Sequence, residues 1–325
     1  MKKYCLFAVS IILLASCNLG SKEKEVKAKK TFANITTTVL EKAVLAGGKL
    51  IRVDSFPSVN IVPRPVDVWL PEKYSSDKKY AVLYMHDGQN LFDATTTWNQ
   101  QEWMIDEVAT KLMNEKTTKD FIVVGIHNIP KIRFLDLYPQ KSFDYLTETQ
   151  LDSIKTNAFK NGITIESFSG DNYLKFIVDE LKPYIDATYS VKTAKEDTVI
   201  AGSSMGGLMS WYAISEYPTV FGAAACLSTH WEGLTPEPNN PLPAAIFSYL
   251  ENNIPDSKSH RVYFDYGNKT LDQHYPQYAP TVDALFKNKG YTAENFKNIF
   301  FEGADHSENS WQKRVDIPLT FILKK

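Results

Sequence analysis

The chain has 325 residues, with 36 Lys and Arg against 38 Asp and Glu, a formal net charge of -2, and 43% hydrophobic residues. That balance excludes a disordered or collagen-like chain and leaves no basic footprint for nucleic acid. At this length one large α/β core and two smaller domains are both open, so the pattern along the chain has to decide.

The start, Met1-Lys2-Lys3 and then an apolar run from Tyr4 to Ala15, reads as a basic region and a hydrophobic segment too short to span a bilayer as a helix. Leu14-Ala15-Ser16-Cys17 resembles the lipobox of bacterial lipoproteins, in which the cysteine becomes the lipidated first residue. Residues 1–16 are therefore expected to be a signal peptide. The mature protein is expected to be exported and anchored through Cys17 to a membrane of a bacterial envelope, in the periplasm or at the cell surface. The stretch from Ser21 to Lys30 is too charged to fold alone, so residues 17–45 read as lipidated cysteine and flexible tether, with the globular unit at 46–325. The only other cysteines, Cys5 and Cys226, are too few and scattered for a disulfide framework or a thiolate metal site, and Cys226 reads as a small buried hydrophobe.

Lys49–Phe56 and Arg64–Leu70 alternate apolar and polar residues and read as early strands. The continuous apolar runs Tyr80–Met85, Phe121–Ile126, Thr198–Ala201 and Phe221–Leu227 fit strands buried on both faces, and Arg261–Tyr266 and Asn298–Phe301 complete the series. Helical patterns lie between them at Glu102–Met113, Tyr173–Ile185, Met205–Tyr217 and Ala279–Lys289. Strands alternating with helices predict an α/β fold, a parallel sheet covered on both faces. Two long connections, from Pro139 to Asp171 and from Trp231 to His260, are candidates for walls or a lid over a site.

Gly202-Ser203-Ser204-Met205-Gly206 sets G-x-S-x-G between a short strand and a helix, the context a nucleophile elbow needs. Gly202 and Gly206 bracket Ser204, which is the candidate nucleophile. A serine needs a base, and in elbow sites the chain order runs Ser, then Asp or Glu, then His. His306 follows the last apolar run and is the candidate base; His230 comes too early and reads as structural or pocket-lining, His260 as lying on the far face, His274 as surface. Asp265 and Asp272 both lie near the end of the penultimate strand, and Asp272 is favoured as the acid because it must reach over the sheet edge. Oxyanion donors are expected from the N–H groups of Met205 and Gln89, with Gly88 letting the chain turn. His86, Asn90, Trp231 and Trp311 are candidate pocket residues; Trp98, Trp103, Trp231 and Trp311 could stack on a sugar or phenolic ring, against core packing as the plainer reading.

Tyr84–Phe92, Gly202–Gly207 and Gly303–Trp311 together resemble the esterase family of α/β-hydrolases that includes esterase D, feruloyl and acetylxylan esterases, enterochelin esterases and mycolyltransferases. The resemblance runs from about Lys49 to the C-terminus, through Trp103, Asp106, Asn128, Arg133 and Tyr173. It implies an α/β-hydrolase fold with a mostly parallel sheet, a triad of Ser204, Asp272 and His306, and Met205 and Gln89 as oxyanion donors. It also implies a serine esterase; acyl or feruloyl esters of polysaccharide are the expected substrates because an exported lipoprotein meets polymers outside the cytoplasm, and a siderophore esterase or an acyltransferase shares the scaffold. Asn268-Lys269 departs from the small or acidic residues common after the strand-closing glycine. No zinc-site spacing and no phosphate-binding loop is present, so neither metal nor cofactor is expected. A catalytically silent ligand-binding lipoprotein is the alternative from another class.

Overall fold

In this computed structural model residues 32, 34–160 and 164–325 are described. The leader, Cys5, Cys17 and most of the expected tether lie outside the described residues. Strands form at Thr38–Val39 (β1), Lys49–Phe56 (β2), Arg64–Leu70 (β3), Ala81–His86 (β4), Phe121–Ile126 (β5), Thr198–Ser203 (β6), Ala223–Leu227 (β7), Arg261–Tyr266 (β8) and Phe296–Phe300 (β9). They pair into one sheet in the order β1-β2-β3-β5-β4-β6-β7-β8-β9. From β5 to β9 every pairing is parallel; β1, β2 and β3 join antiparallel at one edge. The fold is the expected α/β-hydrolase arrangement, with that antiparallel edge as the part the hydrophobic pattern left unspecified.

The apolar runs form central strands because their alternate residues feed two separate cores. Val82 and Tyr84 of β4 face one cluster, to which the segments from Tyr173 to Ile185, Met205 to Ile214 and Leu242 to Leu250 contribute. Ala81, Leu83 and Met85 face the other, covered by the helices Ile105–Asn114 and Asp316–Ile322. Each large apolar side chain buried in these layers contributes roughly 1.5–3 kcal/mol. Cys226 is fully buried in the first cluster, and burial pushes its thiol well above its ordinary value.

Three boundaries differ from the sequence expectation for local reasons. The helix expected over Glu102–Met113 starts at Ile105 rather than Glu102, because Met104 takes a left-handed φ of 53°. The proline-rich segment expected to be loop contains the helix Leu242–Asn253, whose Pro243 stands in the first turn, where a missing N–H costs nothing. The sheet also begins inside the segment read as tether, since Thr38 and Val39 pair with Arg52 and Ile51 and Ile35 packs on the first core. Among the described residues no helix is long and apolar enough to cross a membrane.

Tyr84 is fully buried and its hydroxyl has no hydrogen-bond partner. Removing an unpaired buried hydroxyl relieves a desolvation cost, so Tyr84→Phe is expected to stabilise the protein by about 1 kcal/mol, or roughly 2–4 °C in thermal unfolding. A lower melting temperature in that variant would contradict the assignment.

Candidate active site

β6 ends at Ser203, and Ser204 turns the chain into the helix Met205–Glu216 with φ 57° and ψ -122°. Such a conformation costs a non-glycine residue on the order of 1–3 kcal/mol. Three backbone bonds hold it: Ser204 N donates to Leu227 O at 3.0 Å, and Ser204 O accepts from Leu208 N at 3.1 Å and His230 N at 3.2 Å. The two glycines are steric requirements of the turn. A Cβ on Gly202 would stand 2.9 Å from the Gly206 backbone and 2.9 Å from the His86 ring. Ser204 is 8% exposed, and among the described residues no hydrogen bond joins its Oγ to His306.

Asp272 lies in the short turn Thr270–His274 beyond β8 and is fully buried. Its Oδ1 accepts from His306 Nδ1 at 2.6 Å, and its Oδ2 accepts from Ser228 Oγ and Gly267 N, both at 2.7 Å. His306 N donates to Thr270 Oγ1 at 2.9 Å, and the imidazole packs edge-on against Trp311 and Tyr275, with ring centroids 5.1 and 5.9 Å away. A Cβ on Gly267 would meet Ala304 O at 2.1 Å, so only glycine lets the two loops close up. Asn268 and Lys269 both donate their N–H groups to that carbonyl, and Asn268 Oδ1 accepts from Gly303 N at 2.8 Å. The Asn268 side chain therefore ties the strand end to the histidine loop.

Asp265 points elsewhere. Its carboxylate takes a fork of bonds from Arg314, at 2.9 and 3.1 Å, together with Ser228 N and the Tyr263 hydroxyl. Burial lifts its carboxyl above the usual range despite the opposing charge of Arg314. Of the two candidate acids only Asp272 meets His306. The residue between them was missed: Ser228, at φ 41°, donates Oγ to Asp272 and accepts from Trp311 Nε1 at 2.9 Å and Arg314 Nη2 at 3.0 Å. Its signal in sequence was its place directly after the apolar run of β7, at the same sheet end as Ser204.

β4 and β6 pair directly, with Met85 opposite Ala201, so the turns that follow them emerge side by side. Met205 opens the helix after β6 and Gln89 lies in the short turn Gly88–Asn90 after β4, positions whose N–H groups have no partner within the helix. Asp87, not Gly88, takes the left-handed conformation, at φ 58°. Gly88 is needed for close approach instead, since its Cβ would stand 2.5 Å from the Gly125 backbone. Asp87 bonds Arg133 at 2.8 and 2.7 Å and Asn128 at 2.6 Å, while Asn128 N donates to Gln89 Oε1 at 3.1 Å. Burial opposes ionisation of Asp87, but Arg133 and Asn128 prevail and hold its carboxyl below the usual range. The Gln89 turn is thus pinned by a buried charge pair.

The expected pocket residues divide. His86 is not a lining residue: it is buried under the elbow, its Nδ1 is 2.8 Å from the Tyr173 hydroxyl, and burial lowers its pKa to about 4. Trp231 is core, stacked on Phe247 and Trp211. Trp311 lies behind His306 and packs at a tilt against Trp103, with centroids 5.2 Å apart. Asn90 is buried and donates to Glu308 Oε1 at 3.3 Å. Of the tryptophans considered for ring stacking only Trp98 is exposed, at 86%. His230 is structural; its ring nitrogens meet the Tyr275 hydroxyl at 2.8 Å and Leu234 O at 2.9 Å, and burial lowers its pKa to about 4. A cavity of about 460 Å³ opens on the other side of Gly88 and Gln89, against Leu40, Arg52 and Phe92, and neither Ser204, Asp272 nor His306 lines it.

Residues 62–322 match the family described as Putative esterase. An uncharacterised Bacillus subtilis protein, YbbA, is 22% identical over 270 residues, 81% of this chain and 93% of that protein. An endo-1,4-beta-xylanase/feruloyl esterase of Xylanibacter ruminicola is 24% identical over 262 residues, 77% of this chain and 28% of that longer protein. Among solved structures, a ferulic acid esterase aligns with TM-score 0.58 at 18% identity, over 86% of this chain and 99% of its own. The enterobactin esterase of Shigella flexneri aligns with TM-score 0.58 at 16% identity, over 86% of this chain and 60% of its own. These structural likenesses establish the fold, and the match over 62–322 establishes the family: the chain belongs to the esterases described under that name.

Proposed function

We propose that the protein is a serine esterase that hydrolyses carboxylic esters through an acyl-enzyme on Ser204. In this reading Ser204 Oγ attacks the acyl carbonyl while His306 Nε2 takes its proton, Asp272 fixing the Nδ1–H tautomer and stabilising the imidazolium. The tetrahedral oxyanion collects the N–H groups of Met205 and Gln89, each worth about 2.7–4 kcal/mol in the transition state. His306 then returns the proton to the leaving alcohol, and water repeats the sequence to release the acid. The observation that carries the reading is the 2.6 Å bond from His306 Nδ1 to Asp272, at the sheet end where Ser204 turns. The open Ser204–His306 gap is no obstacle, because such bonds often tighten only with substrate bound.

Phenolic esters of plant polysaccharide are the proposed substrates, supported by the feruloyl esterase among the relatives and the ferulic acid esterase among the structural neighbours. The equally similar enterobactin esterase makes a siderophore ester the competing substrate, and an acyltransferase would differ only in the group that accepts the acyl chain. Turnover of a feruloylated arabinoxylan fragment set against a siderophore ester separates the first two. Export and lipidation at Cys17 complete the proposal, supported by the leader sequence alone.

On this reading Ser204→Ala lowers kcat by on the order of 10⁶-fold with the fold intact, and Asp272→Asn lowers it by about 10⁴-fold. Asp265→Asn should mainly lower the melting temperature. Catalytic collapse in the Asp265 variant with a mild Asp272 effect would reverse the assignment of the acid. Cys17→Ser should move the protein from the membrane fraction to the soluble one with turnover unchanged; a variant still in the membrane pellet would count against the anchor.

A further inference from the structure

Where the loop after β4 enters the helix Ile105–Asn114, three carboxylates converge. Glu102, Asp106 and Glu107 each bring one oxygen to a point where all lie within 4.8 Å of one another. Asp106 has no exposure; its Oδ2 accepts from Ala46 N at 2.7 Å, and its Oδ1 has no hydrogen-bond partner. Glu102 Oε2 and Glu107 Oε2 are likewise buried and unpartnered. Among the described residues no Lys, Arg or His forms an ion pair with any of the three. Buried carboxylate oxygens are normally satisfied, and three orphans facing one point need a positive charge between them.

We propose that Glu102, Asp106 and Glu107 bind a calcium ion. Donors that are all carboxylate oxygens favour a hard cation over zinc or copper, which prefer imidazole and thiolate. The three oxygens lie close enough to share one ion. Three protein carboxylates suit calcium, whose flexible shell takes about six to eight oxygens, better than magnesium, which keeps several waters and takes one or two carboxylates. Glu102 and Glu107 are only partly buried, so solvent reaches the mouth and water can complete the shell. Burial pushes the Glu102 and Asp106 carboxyls up to about 7, followed by the charge of Glu107 for Glu102 and by a side-chain hydrogen bond with Glu107 for Asp106, so a shared proton is the rival occupant.

The ion would act as a clasp rather than a reagent. Asp106 holds the strap at Ala46, and Trp103, between two of the ligands, donates its backbone N–H to Asn90 O at 3.0 Å and packs at a tilt against the Trp311 ring that backs His306. The run Glu-x-x-x-Asp-Glu at a helix start has no zinc-site spacing, so the expectation from sequence was that no metal binds. The proposal does not rest on the esterase reading.

The test is calcium titration calorimetry and thermal unfolding of the purified protein after chelator treatment, at pH 8. One calcium per chain is expected, with magnesium at least tenfold weaker. At a calcium concentration about one hundred times Kd the melting temperature should rise by roughly 5–10 °C. Glu102→Gln/Glu107→Gln should lose both the binding heat and the shift, yet melt at or above the metal-free wild type, because mutual repulsion is gone. Absence of binding up to about 10 mM, beyond the range of weak extracellular calcium modules, would overturn the proposal. So would a melting temperature that climbs as the pH falls from 8 to 6.5 equally with and without calcium, since that assigns the cluster to a proton.

Discussion

A carboxylate taken out of water costs several kcal/mol unless hydrogen bonds replace its hydration, and Asp272 meets that demand with three donors drawn from three strand ends. Ser228 Oγ comes from the end of β7, Gly267 N from the end of β8, and His306 Nδ1 from the loop after β9. Any of these loops that drifted would leave a buried charge short of a partner. The requirement therefore sets the relative positions of the C-terminal ends of β7, β8 and β9, and with them the direction in which the imidazole faces. Asp265 and Arg314 repeat the logic one layer deeper, sharing Ser228 as a common neighbour.

Sheet topology supplies the other half of the site. Strand order reverses between β4 and β6, which pair side by side although β5 intervenes in the chain. Open α/β sheets place ligands at such a point, outside the carboxyl ends of the strands, because the connections diverge there and leave a crevice. Here Ser204 and the Gln89 turn both follow the strands paired at that point. Strain at Ser204 persists because Leu227, Leu208 and His230 over-determine it from three directions. Behind the imidazole, Trp311 packs edge-on against His306 and lies tilted against Trp103 of the 91–104 loop.

Much of this was legible in the sequence because its signals are local. G-x-S-x-G between an apolar run and a helix specifies a turn of known geometry, and a histidine just past the last strand needs only the strand to be placed. Double-sided burial made the central strands visible, whereas β1 has just Thr38 and Val39 and no pattern of its own. What stayed hidden depends on contacts across the sheet. Ser228 meets Asp272 over 44 positions, and Arg314 meets Asp265 over 49. His86 follows a strand like any active-site residue, yet Gly202 and Gly206 leave room for its ring underneath the elbow rather than above it. The helix Leu242–Asn253 was masked by the prolines before it and by Pro243, whose place in the first turn reverses its usual meaning.

The central claim is that the strained serine of the elbow is the nucleophile. A fluorophosphonate probe reacts covalently with a serine activated by a neighbouring base, and peptide mapping by mass spectrometry reports which one. The account predicts a single adduct, on Ser204, formed at a rate that falls sharply when ester substrate competes. An adduct on Ser203 or elsewhere, or no adduct in a preparation that still turns over ester, would contradict it.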